Sequence, residues 1–227
     1  MKQFLAIALA TAILAIGSQA SAGGSDFPEE GWHKGVYLLA TGGMMQMTND
    51  KSLQTNRKFN GTFDPAFGLT FGWDIADWIG PMLQITYATT TAEVGDGGAT
   101  YPTETARQHA INMGLFARAT LPYFTQASWQ HNTVKILPYA KLGGVGHAMF
   151  VNAPNGNNKQ GAYGVGVGMG LGCEFFIWKG LVFAIDATEN IILQGSHSRD
   201  IAGVSTKILD GGTKFQFQLL GMLGWHF

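Results

Sequence analysis

Gly164-Val165-Gly166-Val167-Gly168-Met169-Gly170-Leu171-Gly172-Cys173-Glu174-Phe175 decides the fold. Every odd position is apolar and every even one is glycine or glutamate. On a helix these side chains would scatter around the axis, and five glycines would each weaken it, whereas a strand gathers all the apolar groups on one face. A glycine-rich phosphate loop is excluded because the stretch contains no G-x-G-x-x-G and leads into no helix.

The alternation recurs outward from this segment in both directions. Phe67, Leu69, Phe71, Trp73 and Ile75 alternate with Gly68, Thr70, Gly72 and Asp74; Leu83, Ile85 and Tyr87 alternate with Gln84, Thr86 and Ala88. Ile111, Met113, Leu115, Ala117 and Ala119 oppose Asn112, Gly114, Arg118 and Thr120, with Phe116 on the polar side. Ala140 and Leu142 oppose Tyr139 and Lys141, and Leu181, Phe183, Ile185 and Ala187 oppose Ala184, Asp186 and Thr188. The last run sets Phe215, Phe217, Leu219, Leu223, Trp225 and Phe227 against Lys214, Gln216, Gln218 and His226, with Gly221 interrupting the apolar series. With the segment Gly35 to Met47, this makes eight predicted strands. Short or moderate connections (76–80, 125–133, 177–180) alternate with mostly longer ones rich in Gly, Asn, Asp, Thr and Ser (48–62, 92–105, 152–160, 193–213). That rhythm predicts an all-β, eight-stranded antiparallel up-and-down barrel with one family of loops at each end.

Two barrels share this pattern: a soluble calyx, apolar inside, and a transmembrane barrel, apolar outside. The chain is 46% apolar and 13% charged, with 32 glycines in 227 residues, about half the charge and twice the glycine of an ordinary soluble domain. A soluble exterior calls for Lys and Glu, but the even face of the 164–174 segment is nearly all glycine, which suits a crowded lumen. The apolar face is therefore expected to meet lipid. Trp78, Trp129, Trp178 and Trp225 fall at or beside the short-turn end, where an interfacial aromatic girdle belongs. Ahead of the barrel, Lys2, the apolar run Phe4 to Ile16 and the small residues Ser18 to Ala22 predict a cleaved signal peptide over residues 1–22, leaving 23–227 as one barrel domain. The apolar run, about 13 residues, falls short of the roughly 20 that a membrane-spanning helix needs.

The chain closes on Trp225-His226-Phe227, a terminal phenylalanine preceded by Leu219, Leu223 and Trp225 at alternate positions. This resembles the C-terminal insertion signal of bacterial outer-membrane barrels. The hairpins around Gly72-Trp73-Asp74 and Gly170-Leu171-Gly172 resemble those of the OmpA-like and opacity-type eight-stranded family. The resemblance implies a barrel-only member in the outer membrane of a Gram-negative cell, in contact with outer-membrane lipid and lipopolysaccharide. It also implies insertion by the barrel-assembly machinery, with Trp225 and Phe227 as the insertion signal. Long loops, notably 51–61 and 96–105, would be exposed to a host or phage ligand.

Fourteen Lys and Arg against fifteen Asp and Glu, with no basic run, exclude an electrostatic footprint for nucleic acid. One cysteine, Cys173, excludes an internal disulfide and clustered-cysteine metal sites, and it shares the apolar parity. The six histidines show no metal-binding spacing, so no metal or other cofactor is expected. The candidate functional residues are the lumen charges. Arg118, Lys141 and Lys214 balance Asp74, Glu174 and Asp186. Glu174 and Asp186 stand at similar heights in one predicted hairpin, as do Arg118 and Lys141 in the preceding one, so these four should form a band across the lumen. Ions with little water must satisfy one another, so the band is expected to plug the barrel; a gate for small ions or solutes is the alternative. Ser196-His197-Ser198-Arg199-Asp200 faintly resembles the active-site segment of outer-membrane lipid A deacylases, a third possibility. The asparagine that family carries nearby is absent, and adjacent residues on a strand face opposite ways. No catalytic residue is therefore assigned, and the expected role is structural or surface-interactive.

Overall fold

The computed structural model describes residues 35–48, 63–75, 78–94, 104–120, 135–152, 159–178, 180–201, 204–209 and 211–227. The predicted signal peptide, Trp129 and the tips of the long loops lie outside them. Eight strands close the barrel: β1 Gly35–Thr48, β2 Asp64–Asp74, β3 Ile79–Val94, β4 Glu104–Thr120, β5 Lys135–Asn152, β6 Lys159–Trp178, β7 Leu181–Gln194 and, after a separate hairpin of β8 His197–Ile201 and β9 Val204–Leu209, β10 Gly212–His226. Every neighbour is antiparallel, and β1 seals the barrel by pairing with β10 from Tyr37↔His226 to Thr48↔Phe215. Closure leaves no unpaired edge, the condition for strands to cross a bilayer. The predicted strands are all present. The added element, β8–β9, lies in the stretch read as one long loop, 193–213, whose polar sequence gives no period.

The alternation maps onto two faces as the sequence implies. Phe71, Trp73, Leu115, Val165, Leu171 and Leu223 are among the exposed side chains, with Leu171 68% exposed, while the opposite parity is buried inside. Trp73 and Trp78 are exposed at the end where β2 turns into β3, as a girdle there requires. Cys173 is half-buried on the outward parity. Gly221 keeps the outward parity too; it stands opposite Gly42, so the terminal run loses a side chain there without losing its period.

The glycines inside have two causes, and crowding is only one. At Gly72 and Gly172 a Cβ would fall inside the rings of Tyr37 and Tyr139, their direct cross-strand partners, and at Gly114 inside the Phe116 ring. At Gly43, Gly68, Gly143, Gly166 and Gly224 a Cβ would instead run into a carbonyl oxygen of the adjacent strand. There the tightly curled sheet itself excludes any side chain. Gly180 closes the β6–β7 turn at φ +92°, a conformation that other residues adopt only at a cost.

Both faces can be tested. Leu171→Arg should destabilise the barrel by about 2–4 kcal/mol, the penalty for a cation deep on the lipid side. Gly166→Val should cost about 1–3 kcal/mol through overpacking. Urea unfolding in liposomes, read by tryptophan fluorescence, measures both, and a neutral Leu171→Arg would contradict the membrane-facing assignment.

Candidate functional site: the charged layer in the lumen

The lumen is filled from the end where the short turns lie. Tyr37, Leu39, Met82, Phe116, Leu137, Tyr139, Phe176, Val182 and Met222 form its main apolar cluster. Through it runs a charged layer. Arg118, with no exposed surface, donates from Nη2 to Glu174 Oε2 at 2.6 Å and from Nη1 to Asp74 Oδ2 at 3.4 Å. Its guanidinium lies between the Tyr37 and Tyr139 rings, 4.9 and 4.7 Å from their centroids. Planar and delocalised, a guanidinium is the cation suited to stacking between rings while its edge holds carboxylates.

Lys141 stands directly across the β4–β5 ladder from Arg118, and two like charges so placed would repel without separate partners. Lys141 Nζ instead donates to Asp186 Oδ1 at 2.7 Å and to Gln84 Oε1 at 3.0 Å, and sits 4.6 Å from the centroid of the Phe116 ring. Asp186 further accepts from Tyr139 OH at 2.7 Å and Thr188 Oγ1 at 2.6 Å. Tyr139 thus links the two ion pairs, its ring on Arg118 and its hydroxyl on Asp186. At the rim, His226 Nε2 lies 3.2 Å from Asp74 Oδ2 while its ring stacks on Tyr37 at 5.4 Å.

The four candidate residues therefore come together, with one correction to the expected arrangement. Glu174 and Asp186 are not directly opposed: the register sets Glu174 against Ala184 and Gly172 against Asp186, because the two-residue turn and a shift between Phe176 and Trp178 offset the ladder. The offset lets each carboxylate serve a different cation. Lys214 is buried but does not join the layer; it begins β10 opposite Ile192, at the far end of the barrel, leaving Asp74 to Arg118 and His226. Sequence reading missed Tyr37, Tyr139 and His226 as members. Tyr139 had only its polar-side parity as a signal, and the contact between His226 and Asp74 depends on closure between the two ends of the chain.

Beyond this layer the lumen holds a second apolar cluster, Met45, Ala66, Ala88, Ala110 and Leu220, and a tier of mostly uncharged polar side chains. Asn190 Nδ2 and Gln218 Nε2 both donate to Gln216 Oε1 at 3.0 Å, and His147 Nδ1 lies 2.7 Å from Asn112 Oδ1. Among the described residues no group of three His, Cys, Asp or Glu side chains is placed to hold a metal. Trp225 pairs with Leu38 and Leu181, and Phe227 N donates to Val36 O at 2.8 Å, so both residues of the expected insertion signal lie at the β1–β10 seam. Ser196 precedes the β8–β9 hairpin, which carries His197, Ser198, Arg199 and Asp200.

No family model matches the chain, and no curated protein matches it in sequence. Solved structures do. The outer membrane protein OprG from Pseudomonas aeruginosa aligns with 85% of this chain and 95% of its own at 16% identity, TM-score 0.52. Neisserial surface protein A aligns with 85% and 98% at 10% identity, TM-score 0.51. The fold is that of the eight-stranded outer-membrane β-barrels. The exposed apolar belt fits the outer-membrane location this fold indicates.

Removing Arg118 strands the buried Glu174 and leaves Asp74 only its contact with His226, so Arg118→Ala should destabilise this outer-membrane barrel by about 3–5 kcal/mol. In double-mutant cycles, Lys141 with Asp186 should couple by about 1–3 kcal/mol and Lys141 with Glu174 by clearly less. Equal coupling of the two pairs would contradict the division of partners.

Proposed function

We propose that this protein is a structural or surface-interacting outer-membrane barrel, without catalysis, whose lumen is closed by the layer of Arg118, Lys141, Glu174 and Asp186. The observation that carries this reading is the Arg118 guanidinium, wholly buried between two tyrosine rings and held by carboxylates from β2 and β6. A permeating ion would have to displace a cation with aromatic contacts on both faces and ion pairs at its edge. An eight-stranded barrel is only just wide enough for its own side chains, so no bypass remains beside that layer.

Closure directs function to the exterior and the loop end, where β8–β9 adds a hairpin to the longest connection. Host or phage ligands would meet the protein there, and lipopolysaccharide along the belt. Trp225 and Phe227 would serve the assembly machinery during insertion. The gated-channel alternative draws on one feature, the polar groups in and beyond the charged layer: Gln84 Nε2 and Gln216 Nε2 donate to no protein group and Asn190 Oδ1 accepts from none, as groups able to bind water would.

Planar-bilayer recordings decide between these readings. The native barrel should show no steady conductance, and Arg118→Ser, folded as judged by heat-modifiable mobility, should open small, brief conductances. Large, steady conductance from the native protein would overturn the closed lumen.

A further inference from the structure

One carboxyl group faces lipid. Of the Asp, Glu, Lys and Arg side chains described on the barrel strands, Glu189 alone takes the outward parity, half-buried between Ala187 and Ile191 on β7. Directly across the ladders stand Met169 on β6 and Phe217 on β10. None of these four neighbours has a side chain that can pair with a carboxyl group. Among the described residues Glu189 takes part in no hydrogen bond or ion pair.

Its depth makes that isolation costly. Glu189 stands eight residues from Leu181, the first residue of β7, about 20 Å up the wall for a strand tilted about 40°. The apolar band of such a barrel is about 25 Å tall, so the carboxyl group lies inside it, on the side of the long loops. The apolar series also continues past it, through Ile191 to the exposed Leu193 on β7 and through the exposed Val167 and Val165 on β6. Hydrocarbon offers no water to pair with, and an ionisable side chain facing it calls for a partner within the membrane.

A second copy of this chain brings one to the right depth. A two-fold axis along the membrane normal leaves every height unchanged, so a residue beside the axis meets its own counterpart. A protonated carboxyl group both donates and accepts, so two of them close a ring of two hydrogen bonds.

The wall around Glu189 fits the same axis. The ladder row through Leu181 and Trp225 reaches β1 at Leu38, inside that strand, so rows climb from β6 through β7 to β10, by about 3 Å per strand at this tilt. Gly221 on β10 shares a row with Ile185 and Cys173 and stands about 6 Å above Cys173. Leu171, two residues along β6 from Cys173, is higher than it by about 5 Å, and so comes level with Gly221. With the axis at β7, the exposed Leu171 of each copy faces Gly221 of the other. A Cβ at Gly221 would come no nearer than 3.6 Å to its own barrel, so this glycine, unlike those inside, is not forced by the wall's own packing.

We propose that two copies of this barrel pair through the face of β6, β7 and β10, with their Glu189 carboxyl groups hydrogen-bonded to each other and Leu171 of each seated at Gly221 of the other. The proposal gives the surface-interacting reading one partner, a second copy of this chain, and rests on the outer-membrane placement. The bilayer recordings read the lumen and stay separate from its test.

Disulfide trapping of the full barrel in phospholipid vesicles provides that test. In a Cys173→Ser background, Glu189→Cys should give a dimer on oxidation, whereas Ile85→Cys, outward on β3 across the barrel, should not. Sedimentation equilibrium in density-matched neutral detergent then gives the dissociation constant of the native dimer and its variants. Glu189→Leu and Gly221→Leu should each raise that constant about tenfold or more. Glu189→Gln should keep the dimer, because two amides form the same reciprocal pair. Heat-modifiable mobility confirms that each variant is folded; Glu189→Leu places an apolar side chain on the lipid face and should fold at least as stably as the native protein. A monomeric native protein, a dimer unchanged by Glu189→Leu, or trapping at Ile85→Cys as strong as at Glu189→Cys would overturn the pairing. So would an equal loss with Glu189→Gln, which would mark a cation or a lipid amine as the partner of the carboxyl group.

Discussion

The stack of Arg118 between Tyr37 and Tyr139 is the contact that much of the rest of the barrel accommodates. A guanidinium removed from water costs several kcal/mol unless partners surround it. Two rings lie over it, and Glu174 and Asp74 take Nη2 and Nη1, while the buried Nε has no hydrogen-bond partner. In so narrow a barrel a ring beside the axis needs the neighbouring strand to give way, and each tyrosine faces a glycine that does: Gly72 for Tyr37, Gly172 for Tyr139. The glycine content and the buried charge are thus connected. Other inward glycines answer to curvature, because a barrel tight enough to hold the stack brings adjacent backbones where a Cβ would be.

Ionic balance follows the same geometry. Direct opposition of Arg118 and Lys141 across β4 and β5 would destabilise a shared site, yet the two cations draw on different strands for their carboxylates. The offset between Glu174 and Asp186 makes that separation possible, and Tyr139 joins the halves with one ring face and one hydroxyl. Such a network is more consequential for specificity than for net stability, since a well-packed apolar substitute of equal volume would often be as stable. What an apolar lumen would lose is the fixed order of partners around the barrel, which pins each strand's register from inside.

Much of this was legible in the chain because a strand's period is two. The segment from Gly164 to Phe175 alone separates the faces, and parity placed Arg118, Lys141, Glu174 and Asp186 together in the interior. Parity says nothing about height, however, and height depends on turns. Counting outward from the β6–β7 turn set Glu174 level with Asp186, whereas the ladder shifts near Trp178 and separates them by two positions. Lys214 shares the parity of the charged layer and sits at the opposite end for the same reason. Contacts made by closure were invisible: Asp74 and His226 are neighbours only because β1 lies between β2 and β10. The β8–β9 hairpin was missed because strands of five and six residues are too short for a period of two to stand out.

The two faces also set where a charge is tolerated. Inside, a cation is tolerated where carboxylates and rings surround it; outside, it is tolerated only where the wall leaves the hydrocarbon. Anywhere between that rim and Trp78 an outward cation would cost a few kcal/mol. Position along the strand, more than the number of charges, therefore decides what a charged residue does: Arg118 and Lys141, level with the carboxylates, lock the barrel, whereas Lys214 at the other end does not. The strands β5 and β6, with 18 and 20 residues, are the longest in the wall and carry it farther past the membrane edge than β2, with 11.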